Sequence, residues 1–274
     1  MRERLFPRWG AALFALLPLA ELLYCGVSTQ TAYAAAIASL ITALIVAGAA
    51  KLAPFTRQYR VPQWALAVFA LWPLCRSLSR MAVFLQKTLF VGRSLWGLIF
   101  ALTVSALLIA RVGQIRTAMW ALPIAAVAMT VCALSGVLTV ADLRVTYLEA
   151  PQWGLWGQTG EILNALLPAA LVLALTLPEG LSGAAARGMS AGGALLALLC
   201  LRTALLLGAH TAALLPYPNF TAAGLAAVGD FARHGEVFFA VPLILCDLGR
   251  SAALSCAVLA PMRRLTAARS KQHA

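Results

Sequence analysis

Apolar residues run along this chain in long blocks, broken by short basic or polar stretches. A membrane-crossing helix needs about 20 mostly apolar residues. Eight segments meet that requirement: about 9–27, 32–53, 62–85, 94–111, 117–138, 161–181, 189–213 and 236–260. The pattern predicts one all-α membrane domain over 1–274 with eight transmembrane helices. Two connections are longer than the rest. One, 139–160, carries Asp142, Arg144, Tyr147, Glu149, Trp153 and Trp156; the other, 214–235, carries Pro216, Tyr217, Pro218 and Asn219. Tyr and Trp favour headgroup depth, so both are expected to hold short interfacial helices. The first segment follows Arg2, Arg4 and Arg8, as in a signal peptide. It lacks a clear small-x-small cleavage site and further spans follow, so it reads as a retained first helix.

Composition agrees with the pattern. The chain is 62% apolar and 11% charged, with mean hydropathy +0.88, whereas soluble domains are about 45–50% apolar and about 25% charged. Soluble enzymes, disulfide scaffolds, disordered chains and soluble nucleic-acid binders are excluded. The net charge of +12 therefore reports topology rather than nucleic acid. With a cytoplasmic N-terminus, inside segments carry Arg2, Arg4, Arg8, Lys51, Arg57, Arg60, Arg111, Arg116, Arg187, Arg263, Arg264, Arg269 and Lys271. Outside segments carry only Lys87, Arg93, Arg144 and Arg233. This bias predicts an even number of spans with both termini in the cytoplasm.

The six cysteines form no CxxC pair and fall mostly in apolar runs, where a thiol acts as a small hydrophobe. No disulfide framework, metal site or cofactor is implied. There is no HExxH, GxSxG or P-loop motif, so the chain does not read as an enzyme.

Charges inside spans carry the remaining information, because each costs roughly 2.5–3.5 kcal/mol at a helix centre on insertion scales. Glu21 follows Pro18 and precedes Gly26. It sits either at a break near the midplane or at a kinked end among headgroups. Arg76 and Arg80 are four apart and share a face just after Pro73. They either line a cavity or lock to Glu21 or Asp247, or else the span ends near Cys75 and both snorkel. The sixth segment carries Asn164, Pro168, Thr176, Pro178 and Glu179, which predicts a second interrupted span. Interrupted first and sixth spans are the pattern of an inverted-repeat transporter. Asp247 and Arg250 are three apart and able to pair within the last helix. Arg202 has no local partner, and His210 shares roughly its face; His210 and His234 read as loop or packing residues, or as proton carriers.

Residues 217–260 resemble the spore germination permease family, the membrane B subunits of germinant receptors. The resemblance rests on Tyr217-Pro218-Asn219-Phe220, then Gly229-Asp230-Phe231, then Glu236 with Phe238-Phe239. Arg250 stands where the family has a Lys, and Asp247 where it has a small or apolar residue. Arg76 and Arg80 are similar to a basic motif in its third helix, and Pro168, Pro178 and Glu179 to its Pro-rich sixth. The resemblance implies the amino acid–polyamine–organocation superfamily and its LeuT-like five-plus-five inverted repeat, here without the last two helices. It also implies germinant-receptor A and C subunits as partners, in a cell or spore inner membrane.

The function expected on this basis is sensing or transport of a small, amino-acid-like nutrient. The expected binding residues are Glu21, Gly26, Arg76, Arg80, Asn164 and Pro168, within Leu17–Gly26 and Asn164–Ala170. Half-helix N-termini there would hold a carboxylate. Asp247 and Arg250 would couple charge. The alternatives are an ion-coupled amino acid transporter and a non-transporting structural subunit.

Overall fold

Helix α1 (Pro7–Glu21) is the axis of the fold. From Ala12 to Glu21 every residue is buried, because α1 is ringed by four later helices: α6 (Gln114–Leu138), α7 (Leu155–Thr176), α8 (Ser182–Leu207) and α11 (Gly235–Gln272). The computed structural model describes residues 7–148, 150, 154–176, 182–225 and 235–272. Within these, α2 (Thr29–Ala49) packs on α7 and α8, and α4 (Arg60–Thr88) packs on α11, α7 and α5 (Leu95–Arg111). The short α3 (Ala53–Gln58) follows α2 through a 3-10 turn at Ala50–Leu52. The longer connections hold 3-10 turns at Val140–Asp142 and Val145–Tyr147, and the short helices α9 (Ala209–Leu214) and α10 (Pro218–Gly224). No strand occurs among the described residues.

Small residues set how close these helices come. Lipid tails are as apolar as leucine, so helices in a bilayer associate by close packing rather than by the hydrophobic effect. Ala118, Ala121, Ala125, Ala128, Cys132 and Ser135 form the buried stripe of α6, at three- and four-residue spacing. On α8, a Cβ at Gly188 would overlap the Ala11 backbone, and one at Gly193 would overlap the Ser39 side chain. Glycine at those two positions brings the α8 backbone against the α1 backbone and against the Ser39 side chain of α2. Local signals end the helices. Ser28 accepts a hydrogen bond from the Thr31 amide (3.0 Å) to cap α2. Gly113 (φ 101°) turns α5 into α6, and Gly208 (φ 75°) separates α8 from α9.

The outside is apolar. Leu44, Trp96 and Val61 are each at least 75% exposed, a surface that water does not tolerate over a whole molecule. Among the described residues, six helices are long and apolar enough to cross a membrane: those within Thr29–Thr56, Val61–Thr88, Gln114–Leu138, Leu155–Thr176, Gly183–Leu207 and Glu236–Arg263. The protein is an integral, polytopic membrane protein.

The eight expected segments all fall on helix, but six rather than eight of the described helices are long and apolar enough to cross, and the boundaries differ: 32–53 runs from α2 through the 3-10 turn into α3, and 189–213 is divided at Gly208 between α8 and α9. The first ends at Glu21 rather than residue 27, so its described part, Pro7–Glu21, has 15 residues. Helix α5 has 17 residues. The third stays helical to Thr88, well past Cys75. The expected break in the sixth at Pro168 is absent: α7 is continuous from Leu155 to Thr176. Pro178 and Glu179 lie outside the described residues.

Candidate functional site

Glu21 is the last residue of α1 and is 3% exposed. A carboxylate there is disfavoured twice, by burial and by the negative end of the helix dipole. Two guanidinium groups answer it. Arg80 of α4 lies 2.8 Å from one oxygen and Arg250 of α11 lies 2.5 Å from the other. Arg250 also reaches Asp247 at 2.7 Å, the i,i+3 pairing open to it within α11. Asp247, 0% exposed, accepts further hydrogen bonds from the Ser77 hydroxyl (2.6 Å) and the Tyr24 hydroxyl (2.7 Å). Ser77 lies 2.8 Å from the Ser251 hydroxyl. Two acids and two cations thus form a buried tetrad of zero net charge. At an effective dielectric of about 20, each contact is worth roughly 6 kcal/mol in gross attraction, against several kcal/mol of lost solvation per ion. The members depend on one another more than they stabilise the fold.

The sequence places this chemistry on single faces. Pro73, Ser77, Arg80 and Phe84 follow one another at three or four residues along α4, and Arg76 lies three after Pro73 and four before Arg80. On α11, Arg250 and Ser251 lie three and four residues after Asp247. Arg76 has a separate task. Proline at 168 removes the amide that would donate to the Asn164 carbonyl, and Arg76 Nη1 donates to that carbonyl instead, at 3.1 Å. An interhelical donor satisfies the freed group, so α7 continues through its proline.

Glu21, Arg76, Arg80, Asn164, Pro168 and Arg250 line one cleft, together with Ser77 and Trp72. Its free volume is about 10 Å³, about one water's worth. Gly26 is not part of it: it is exposed in the non-helical stretch before α2, with nothing near it. The helix end at this cleft is the C-terminus of α1, not the half-helix N-terminus expected from sequence.

A polar and aromatic cap closes the end of α1. Asn219 Nδ2 donates to the Leu22 carbonyl at 2.8 Å, one of the carbonyls that a helix end leaves unpaired. Phe84 meets Tyr217 (4.8 Å) and Phe220 (5.5 Å) edge-on, and Tyr24 at 6.2 Å. The Arg80 guanidinium lies 4.3 Å from the centre of the Tyr24 ring, within cation–π range. The Tyr217-Pro218-Asn219-Phe220 segment is therefore the plug over α1. Gly229-Asp230-Phe231 and His234 lie outside the described residues. Glu236 opens α11; Phe239 is buried and Phe238 is 73% exposed.

Arg202 is buried in α8 away from this site. Its Nε donates to Thr139 Oγ1 (2.8 Å) and its Nη2 to the Ala222 carbonyl (3.3 Å). His210 lies beyond the Gly208 turn on α9 and is not among those partners. Sequence reasoning passed over Ser77, Tyr24 and Ser251, and named Asn219 only as part of the Tyr217–Phe220 motif. The first two carry a usable signal: Ser77 lies between the two arginines on their shared face, and Tyr24 three residues after Glu21.

No protein-family model matches this chain, and no curated protein is similar to it.

Proposed function

We propose that this chain is a permease-type membrane protein that binds a small, carboxylate-bearing solute between α1, α4, α7 and α11, with the closed tetrad as its unliganded state. The observation that supports this most is the asymmetry of the Glu21 pairs. Arg250 and Asp247 are sealed in the core, while the Arg80 side chain is 26% exposed under the aromatic cap. A solute carboxylate would replace Glu21 on Arg80 without unburying the other pair. The sequence resemblance over 217–260 supports a nutrient-sensing or transporting role beside germinant-receptor A and C subunits, on a LeuT-like repeat lacking two helices. The basic bias of the loops supports placing both termini in the cytoplasm.

A second reading is favoured by the cleft's free volume of about 10 Å³. In it the tetrad is a permanent lock and the protein a structural subunit. A thermal-stability screen of the purified protein in detergent, against amino acids, other carboxylates, sugars and nucleosides, separates the two. A solute at 100 times its Kd adds about 2.7 kcal/mol of stability. A saturable shift confined to carboxylate-bearing solutes, and lost in a folded Arg80→Gln variant, supports binding. No shift across the screen, with co-purifying partner subunits, overturns binding in favour of the structural reading.

A further inference from the structure

A groove of about 260 Å³ runs between α5, α6 and α11. Its walls are Ile109 and Val112 on α5, Trp120 and Ile124 on α6, and Leu245 and Leu248 on α11. Each helix contributes residues three or four apart, so one face of each lines the groove. Thr117 is its one hydroxyl-bearing residue, and that hydroxyl already donates to the Gly113 carbonyl at 3.0 Å. Beyond it the lining side chains offer a hydrophilic ligand only the Trp120 indole N–H. Trp120 is 66% exposed, so the groove opens outward, where an integral membrane protein meets lipid. Between Thr117 and Ile124 it covers about 10 Å of helix axis.

The mouth of the groove is chemically different. There α5 turns into α6 at Gly113, and three arginines gather. Arg111 ends α5, Arg116 lies in the first turn of α6, and Arg263 comes from α11; all three are exposed. Arg263 Nη2 donates to the Ala110 carbonyl at 2.6 Å, and its Nη1 would lie 3.9 Å from a Cβ at Gly113, which fixes it at this corner. The first amides of α6 lack partners within their own helix, and the positive end of its dipole points the same way. The described acids are elsewhere. Glu21 and Asp247 are in the tetrad, and Asp142, Glu161 and Glu236 lie toward the opposite ends of α6, α7 and α11. A largely apolar slot that opens to the bilayer, beside the exposed Arg111 and Arg116, fits a molecule with an apolar chain and an anionic head.

We infer that this groove binds an anionic phospholipid, one acyl chain lying between Trp120 and Leu248 and the phosphate meeting Arg111 and Arg116. This site is separate from the tetrad and independent of the solute-binding proposal. Each basic side chain near a bilayer surface favours anionic lipid about fivefold, so Arg111 and Arg116 together supply a preference of about 25-fold.

The test uses the full chain in phosphatidylcholine vesicles containing a small fraction of either phosphatidylglycerol or phosphatidylcholine brominated on its acyl chains. Bromine quenches tryptophan on contact, and the difference between wild type and Trp120→Phe isolates Trp120. Brominated phosphatidylglycerol is expected to quench Trp120 saturably, well above its mole fraction, and brominated phosphatidylcholine only in proportion to it. Arg111→Gln with Arg116→Gln is expected to lower the excess about 25-fold, and the corresponding Lys pair to keep most of it. Equal quenching by both headgroups overturns the inference, as does an excess that survives the Gln pair. Protection of Trp120 from both lipids also overturns it, because a protein helix then fills the groove.

Discussion

Charge balance in the tetrad makes a measurable prediction. Glu21→Gln keeps the side chain's shape and removes one charge, leaving Arg80, Arg250 and Asp247 with a net charge of +1. Breaking a buried pair by removing one partner costs about 3–5 kcal/mol. The lower end applies here, about 3 kcal/mol, because Arg80 is 26% exposed and can turn its guanidinium toward the aqueous end. Arg80→Gln alone leaves Glu21 with Arg250 at 2.5 Å and a cluster one charge negative. The double variant is neutral again. Its cost is expected to fall short of the sum of the two single costs by about 1–3 kcal/mol, as for residues in direct contact. The assay is reversible unfolding in mixed micelles, followed by far-UV circular dichroism, for wild type, both single variants and the double. Additivity within about 0.5 kcal/mol would refute the argument, because Arg80 would then not be compensating Glu21.

Other perturbations follow from single contacts. Ser77→Ala removes the hydroxyl 2.6 Å from Asp247 and is expected to cost about 1–3 kcal/mol in the same unfolding assay. Asn219→Ala uncovers the Leu22 carbonyl at the end of α1 and is expected to cost a similar 1–3 kcal/mol, with faster hydrogen exchange over 22–27. Gly188→Ala forces α8 off Ala11 and is expected to cost about 1–3 kcal/mol by overpacking. Gly160→Ala on the open face of α7 is expected to stabilise by about 0.5–1 kcal/mol instead. Arg76→Met leaves the Asn164 carbonyl without its donor; α7 is expected to bend at Pro168, shortening the spin-label distance between its ends.

The helical membrane class was legible because it depends on the composition of long windows, which tertiary context does not alter. All eight apolar segments are helical for that reason, and six of them coincide with helices long enough to cross a membrane. Boundaries were less legible. The end of α1 at Glu21 is fixed partly by Asn219, 197 positions away, and no local pattern carries that information. Pro168 read as a break because its lost hydrogen bond was visible and the donor that replaces it was not, since Arg76 belongs to another helix. The Asp247–Arg250 pair was readable from spacing. The Arg80–Glu21 contact was one of two pairings that the charges allowed, and only helix placement separates them. The plug role of Tyr217–Phe220 had no sequence signal beyond its aromatic content.

The tetrad also orders events during synthesis. Glu21 and Arg250 are 229 residues apart in the chain. At translation rates of about 5–20 residues per second, Arg250 is made roughly 11–46 s after Glu21. Arg80 follows Glu21 in roughly 3–12 s at the same rates. For most of the interval the acid-tipped helix α1 has, of its two arginine partners, only Arg80 to hold it among the growing helices. Arrival of the last helix then neutralises the assembly and encloses the first. The final span acts as the fastener of a bundle whose central rod was laid down first, and truncating the chain before residue 235 would leave that rod unfastened.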